Sequence, residues 1–180
     1  MRTIADIDVL GDGALQRGIA RLSLAVLGGT VLLAGLLALV LGGERLDVWW
    51  WAALTLGSFV ALPVHELVHG AAFKLLCPGC RVSFGFQDAF LYTRTDGAVL
   101  PRGRMTAVLL APAVLVTAAL AAAALAAGRP VLAVLLAGIH LAGCAGDALM
   151  AAACLRESSC THVRDTETGI TLLSDRKGAK

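Results

Sequence analysis

Apolar residues gather in four long blocks separated by short polar stretches. Ile19 to Leu41 is nearly uncharged, with only Arg21 near its start, and matches the ~20 residues that span a bilayer as a helix. Gly42 to Val48 holds Glu44, Arg45 and Asp47 and reads as a loop. Trp49-Trp50-Trp51, a cluster of the kind that settles at the membrane–water interface, opens a second block that runs to Leu76. A third block covers 105–127, Gly128-Arg129-Pro130 makes a tight turn, and a fourth covers 131–155. Residues 80–101 are too polar to span. Val82, Phe84 and Phe86 alternate there with Ser83, Gly85 and Gln87, the run resumes through Phe90, Leu91 and Tyr92, and Asp96-Gly97 is a turn signal. Alternation of this sort predicts short strands or a β-hairpin. Residues 1–18 read as a polar tail, and 156–180 as a second tail with one short strand at 169–173. The pattern thus predicts an all-α membrane protein: one domain over 1–180, four transmembrane helices, and a small hairpin between the second and third.

Composition agrees. The chain is 58% hydrophobic and 16% charged, with a mean hydropathy of +0.80, against roughly 45–50% and about 25% in soluble domains. Its main partner is therefore the lipid bilayer. A net charge of +2 with no basic block excludes nucleic acid as a partner. Five cysteines, an odd number, do not read as a secreted disulfide framework. Asp6, Asp8 and Asp12 before the first block, without a small-x-small cleavage site, predict a retained N-terminus. Lys and Arg set the orientation. Lys74, Arg81, Arg94, Arg102 and Arg104 lie between blocks two and three, and Arg156, Arg164, Arg176, Lys177 and Lys180 follow block four. The two opposite loops hold only Arg45 and Arg129. Both termini and the strand segment are then cytoplasmic, in a bacterial inner membrane. Oligomeric state is left open.

The chemistry lies in the second block, where Val64-His65-Glu66-Leu67-Val68-His69-Gly70 is a His-Glu-x-x-His motif. Residues four apart share a helix face, so His65 and His69 can offer two imidazoles to one metal ion, with Glu66 beside them as a general base. A catalytic zinc needs a third protein ligand. Of the thirteen carboxylates, only Glu66 and Asp147 fall well inside an apolar block, where an ionisable group costs at least ~2.5–3.5 kcal/mol and marks function. Asp147 is the candidate, since it and His69 lie at matching depths, ~10–12 Å from the cytoplasmic ends of their helices. His140 lies two turns before Asp147. On a straight helix it sits about 10 Å further from the cytoplasmic end, too far to replace Asp147, and it reads as a helix–helix hydrogen bond or a residue supporting the site. The metal is expected to be zinc (Zn2+), though two histidines and a carboxylate also admit iron or cobalt. Pro63 can open the helix near His65 or simply kink it. Gly143 and Gly146 suggest close helix packing. Cys77-Pro-Gly-Cys80 reads as a turn ending the second helix, with a redox or metal role as the sharper alternative.

Together, His65-Glu66-Leu67-Val68-His69-Gly70, the strand segment, Ala111-Pro112, and Gly143-Cys144-Ala145-Gly146-Asp147 followed by Val163-Arg164-Asp165 resemble a bacterial family of uncharacterised membrane zincin peptidases. That family is similar to the site-2 proteases, the intramembrane zinc metalloproteases. The resemblance implies zinc on His65, His69 and Asp147, Glu66 as catalytic glutamate, and a membrane protein or peptide as substrate. Ala148 stands where site-2 proteases typically have glycine. A non-proteolytic metal-binding scaffold or a pseudoprotease is the alternative reading of the same residues.

Overall fold

The computed structural model describes residues 1–87 and 90–175. Arg176, Lys177 and Lys180, counted above for orientation, lie outside the described residues, as do Asp88 and Ala89 of the strand segment. In chain order the elements are β1 (Arg2–Asp8), α1 (Gly13–Leu41), α2 (Val48–Leu76), β2 (Val82–Gln87), β3 (Phe90–Thr95), β4 (Val99–Pro101), α3 (Arg102–Ala126), α4 (Pro130–Gly143), α5 (Ala145–Arg156), β5 (His162–Asp165) and β6 (Gly169–Ser174). Side-chain caps start the first two helices. Asp12 Oδ1 accepts from Ala14 N at 2.7 Å, and Asp47 Oδ1 accepts from Trp50 N at 2.9 Å. Gly42, at φ +74°, ends α1 in a left-handed turn.

α1, α2 and α3 are long and apolar enough to cross a membrane, and α4 with α5 passes the same test only as one path bent by 59°. A helix of 29 residues is about 43 Å long, more than the ~30 Å hydrocarbon core. Leu32, Leu39, Val40 and Phe59 all point outward and exposed. Such a surface needs lipid, and the chain is a membrane protein.

Three expectations are corrected. First, the molecule is mostly helical but not all-α. β1, β6, β5 and β4 form a four-stranded antiparallel sheet in that order, separate from the β2–β3 hairpin. Second, the stretches read as tails hold paired strands: β1 and β6 pair from Arg2↔Ser174 to Asp8↔Gly169. The sheet packs Leu100, Val163 and Ile170 against Met105 and Val108 of α3, Cys154 of α5 and Phe73 of α2. Third, the fourth block is not one straight helix but breaks at Cys144. Breaking a helix frees carbonyls that lipid cannot satisfy. Here Ser23 of α1 donates to Ala142 O at 2.7 Å, while His140 O keeps its backbone bond from Cys144 N at 3.1 Å and also accepts from the Cys144 thiol. The break also puts Asp147 in the first turn of α5, where the helix dipole favours a carboxylate.

At the other end, Glu44 caps α4 by accepting from Val131 N and Leu132 N, and it also accepts from Trp50 Nε1 at 2.8 Å. Arg129 donates to Asp47 at 2.9 Å. These bonds tie the α1–α2 loop to the α3–α4 turn.

α4 comes close to α1 at Gly138, where a Cβ would overlap the Thr30 side chain. Gly143, expected to pack closely, has nothing within 4 Å of that position. Between membrane helices, packing of small residues carries much of the association. Gly138→Val is therefore expected to cost about 1–3 kcal/mol through overpacking. Thr30→Ala in the same chain should recover part of the lost melting temperature. Equal melting of the Gly138→Val protein and wild type would show that the two helices are not in register here.

Candidate metal centre

α2 delivers His65 and His69 one turn apart, and the start of α5 delivers Asp147 opposite them. The two Nε2 atoms are 3.1 Å apart. His65 Nε2 lies 3.2 Å from Asp147 Oδ2, and His69 Nε2 lies 3.5 Å from Asp147 Oδ1. Four ligands held ~2.0–2.1 Å from a tetrahedral zinc stand about 3.3–3.4 Å from one another, which these separations bracket. His65, His69 and Asp147 could hold a metal ion.

The other ring nitrogens agree with that use. His69 Nδ1 faces Val108 O at 3.1 Å. A carbonyl only accepts, so Nδ1 carries the proton and Nε2 keeps its lone pair toward Asp147. His65 Nδ1 faces His140 Nε2 at 3.3 Å, and His140 Nδ1 faces Thr117 Oγ1 at 2.8 Å. A proton on His65 Nδ1 given to His140 Nε2, with His140 Nδ1 donating to Thr117, leaves His65 Nε2 bare as well. Two lone pairs 3.1 Å apart repel unless a cation lies between them, so the donor set fits zinc.

Residues 58–161, more than half of the 180-residue chain, match a family described as "putative zincin peptidase". The chain belongs to this family. The family is one of zinc metallopeptidases by its description, in keeping with a His/His/Asp group suited to zinc. No curated protein and no solved structure matches the chain. The matched stretch of this zincin peptidase family member runs from Ser58 in α2 through the hairpin and all of α3, α4 and α5. It therefore contains every residue of the cluster.

Glu66 is half-buried on the same turn. It lines a cleft of ≈ 270 Å³ with Ser58, Leu62, His65, Leu91 and Ile139 among its neighbours. The β2–β3 hairpin folds back along α2 to reach this level: Thr93 Oγ1 donates to Glu66 O at 2.8 Å, and Phe84 rests on Gly70, where a Cβ would strike its ring. Glu66 is ten residues before Leu76, about 15 Å along the helix, so the hairpin does not simply project beyond the helix end. At its base, Asp165 Oδ2 of β5 accepts from both Thr95 N and Thr95 Oγ1 at 2.7 Å. The sheet is thereby bonded to the hairpin beside the site.

Burial pushes the Asp165 carboxyl above its ordinary range, against the pull of the two Thr95 hydrogen bonds. A raised folded-state value means that this carboxyl favours folding below its unfolded value of ~3.9 and that the contribution is lost as pH rises through the folded value. Asp165→Asn keeps an acceptor for Thr95 without the buried charge. Its melting temperature relative to wild type is expected to climb as pH is raised from about 4. A difference that stays constant with pH would place the titration elsewhere.

Of the residues singled out from sequence, His65, His69, Glu66 and Asp147 are brought together, and so is His140, against the expectation of about 10 Å of separation on a straight helix. The His140 ring meets that of His65 across the helix pair. Helix α2 continues through Pro63. Cys77 and Cys80 close a turn at the end of α2 as a disulfide, with Gly79 at φ +100°. His162 sits in β5 and faces Asp175 Oδ2 at 3.1 Å. Cys144, Thr117 and Thr93 were not singled out as site residues, because each is an ordinary residue for an apolar helix or a strand.

Proposed function

We propose that this protein is an intramembrane zinc metalloprotease, similar to the site-2 proteases, that hydrolyses peptide bonds of membrane-associated substrates. The observation that carries the reading is the meeting of His65 Nε2, His69 Nε2 and the Asp147 carboxylate at 3.1–3.5 Å within apolar helices. Zinc held by these three residues supplies Lewis acidity toward water and the scissile carbonyl. Glu66 takes the proton of the attacking water on its carboxylate and delivers it to the departing amine. The bonds from Thr117 through His140 to His65, and from Val108 to His69, hold both imidazoles in the ligating tautomer. Leu91 of β3 lines the cleft beside Glu66, so an unwound substrate segment would meet the hairpin as an added strand.

Pairing of β1 with β6 supports an even number of crossings, because the first and last strands share one sheet and hence one side of the bilayer. With the bent pair as one crossing the number is four. The Lys and Arg distribution puts that side in the cytoplasm of a bacterial inner membrane.

The test is cleavage of a tagged single-span protein by wild type and by Glu66→Gln in reconstituted vesicles. Cleavage by wild type alone supports the reading. Equal products from both would leave a metal-binding scaffold in its place.

A further inference from the structure

Beside the His65–His69–Asp147 cluster lies a second group that the proposed hydrolysis does not use as ligands. Cys144 Sγ is 3.8 Å from His65 Nδ1, 3.8 Å from His140 Nδ1 and 3.9 Å from His140 Nε2, and the His65 Nδ1–His140 Nε2 separation is 3.3 Å. His65, His140 and Cys144 form a set of three donors with the spacing of metal ligands. We propose that His65 Nδ1, His140 Nε2 and Cys144 Sγ make a second metal site, selective for a soft monovalent ion such as Cu+, which competes with the first site for His65.

Three features carry this. The donors are two imidazoles and a thiol, where the first site has two imidazoles and a carboxylate. Thiolate selects soft ions and carboxylate does not. Charge balance also separates the sites. His140 and Cys144 are buried at 7% and 2% exposure, and once the ion displaces the Cys144 thiol proton to solvent, one thiolate with two neutral imidazoles offsets a single positive charge, the least costly state to bury. Finally, a neutral imidazole has one lone pair. Zinc on His65 Nε2 requires the proton on Nδ1, and a soft ion on Nδ1 moves that proton to Nε2. His65 thus serves one site at a time. His140 and Cys144, four residues apart, share one face at the end of α4, and that face meets the His65 ring of α2.

This inference shares His65 with the proteolytic reading but neither His69 nor Asp147, so the two can fail separately. The experiment titrates Cu+, buffered by a chromophoric Cu+ chelator, into the zinc-loaded full chain in detergent. Copper bound and zinc released are both counted. Wild type is expected to take up one Cu+ and release one Zn2+. Cys144→Ser keeps a donor to His140 O, so it should retain its zinc and bind Cu+ at least about 100-fold more weakly, since outer-shell partners alone are worth about 10–100-fold and a direct ligand more. Asp147→Asn, with no zinc to compete for His65, is expected to take up one Cu+ at least as tightly as wild type. Wild-type Cu+ affinity in Cys144→Ser would assign the ion to Cys154 or Cys160 and overturn the proposal. Uptake with no zinc released would overturn the competition for His65. If wild type proves to hold no zinc, the first site is wrong, while the Cys144 dependence of Cu+ uptake still decides the second.

Discussion

Removing zinc from the purified protein is expected to lower its melting temperature by roughly 8–16 °C. A ligand that binds only the folded state adds about 4.1 kcal/mol at 1,000 times its Kd. For chains of about 150–250 residues each kcal/mol is worth about 2–4 °C. His65 and His69 come from α2 and Asp147 from α5, so the ion joins two elements beyond the apolar core they share. Tryptophan fluorescence during a thermal ramp, with and without a strong chelator, reads the shift. Asp147→Ala should abolish it, and zinc should no longer co-purify. A full chelator shift in Asp147→Ala would mean that the carboxylate is not a ligand and that the bend of α4 onto α5 serves some other purpose.

Glu66→Gln is expected to lower the cleavage rate by about 10²- to 10⁴-fold, the usual span for removing a general acid–base, with zinc content unchanged. Glutamine keeps the size and hydrogen-bonding outline of glutamate but cannot hold the transferred proton. The Glu66 carbonyl, which accepts from Thr93, is untouched by the substitution, so the hairpin keeps its anchor. Metal analysis beside the rate measurement separates the roles. Loss of zinc together with activity would make Glu66 a ligand and not a base.

Much of the candidate site was legible from spacing alone. His65, Glu66 and His69 are local to one helical turn, and a turn's geometry is the same wherever the helix lies. Asp147 was legible by elimination, since a carboxylate inside an apolar block has few uses. The position of His140 was not. Seven residues of straight helix are about 10 Å, which separates His140 from Asp147 along the chain but does not say that its ring meets His65 across the helix pair, as it does at 3.3 Å. Gly143 and Gly146 read as packing positions and not as a bend, and a hydrogen bond at the bend comes from Ser23, more than a hundred residues away. β1 was hidden for a different reason. Ile4 and Ile7 both pack against the core, three residues apart, because the register shifts between Thr3 and Ala5. That irregularity erases the period-two pattern by which a strand is recognised.

By itself the sequence determined that the chain lives in a membrane, that the second apolar block carries a His-Glu-x-x-His motif, and that one aspartate stands inside an apolar block. These follow from local periodicity and from the cost of burying charge, which act over a few residues. Only the tertiary structure decided that the termini meet in one sheet, that the sheet is bonded to a hairpin lying along the motif, and that a broken helix brings Asp147, His140 and Cys144 around a single imidazole. Those outcomes depend on hydrogen bonds between residues far apart in the chain, and no local pattern encodes which partner a freed carbonyl or an unpaired strand edge will find.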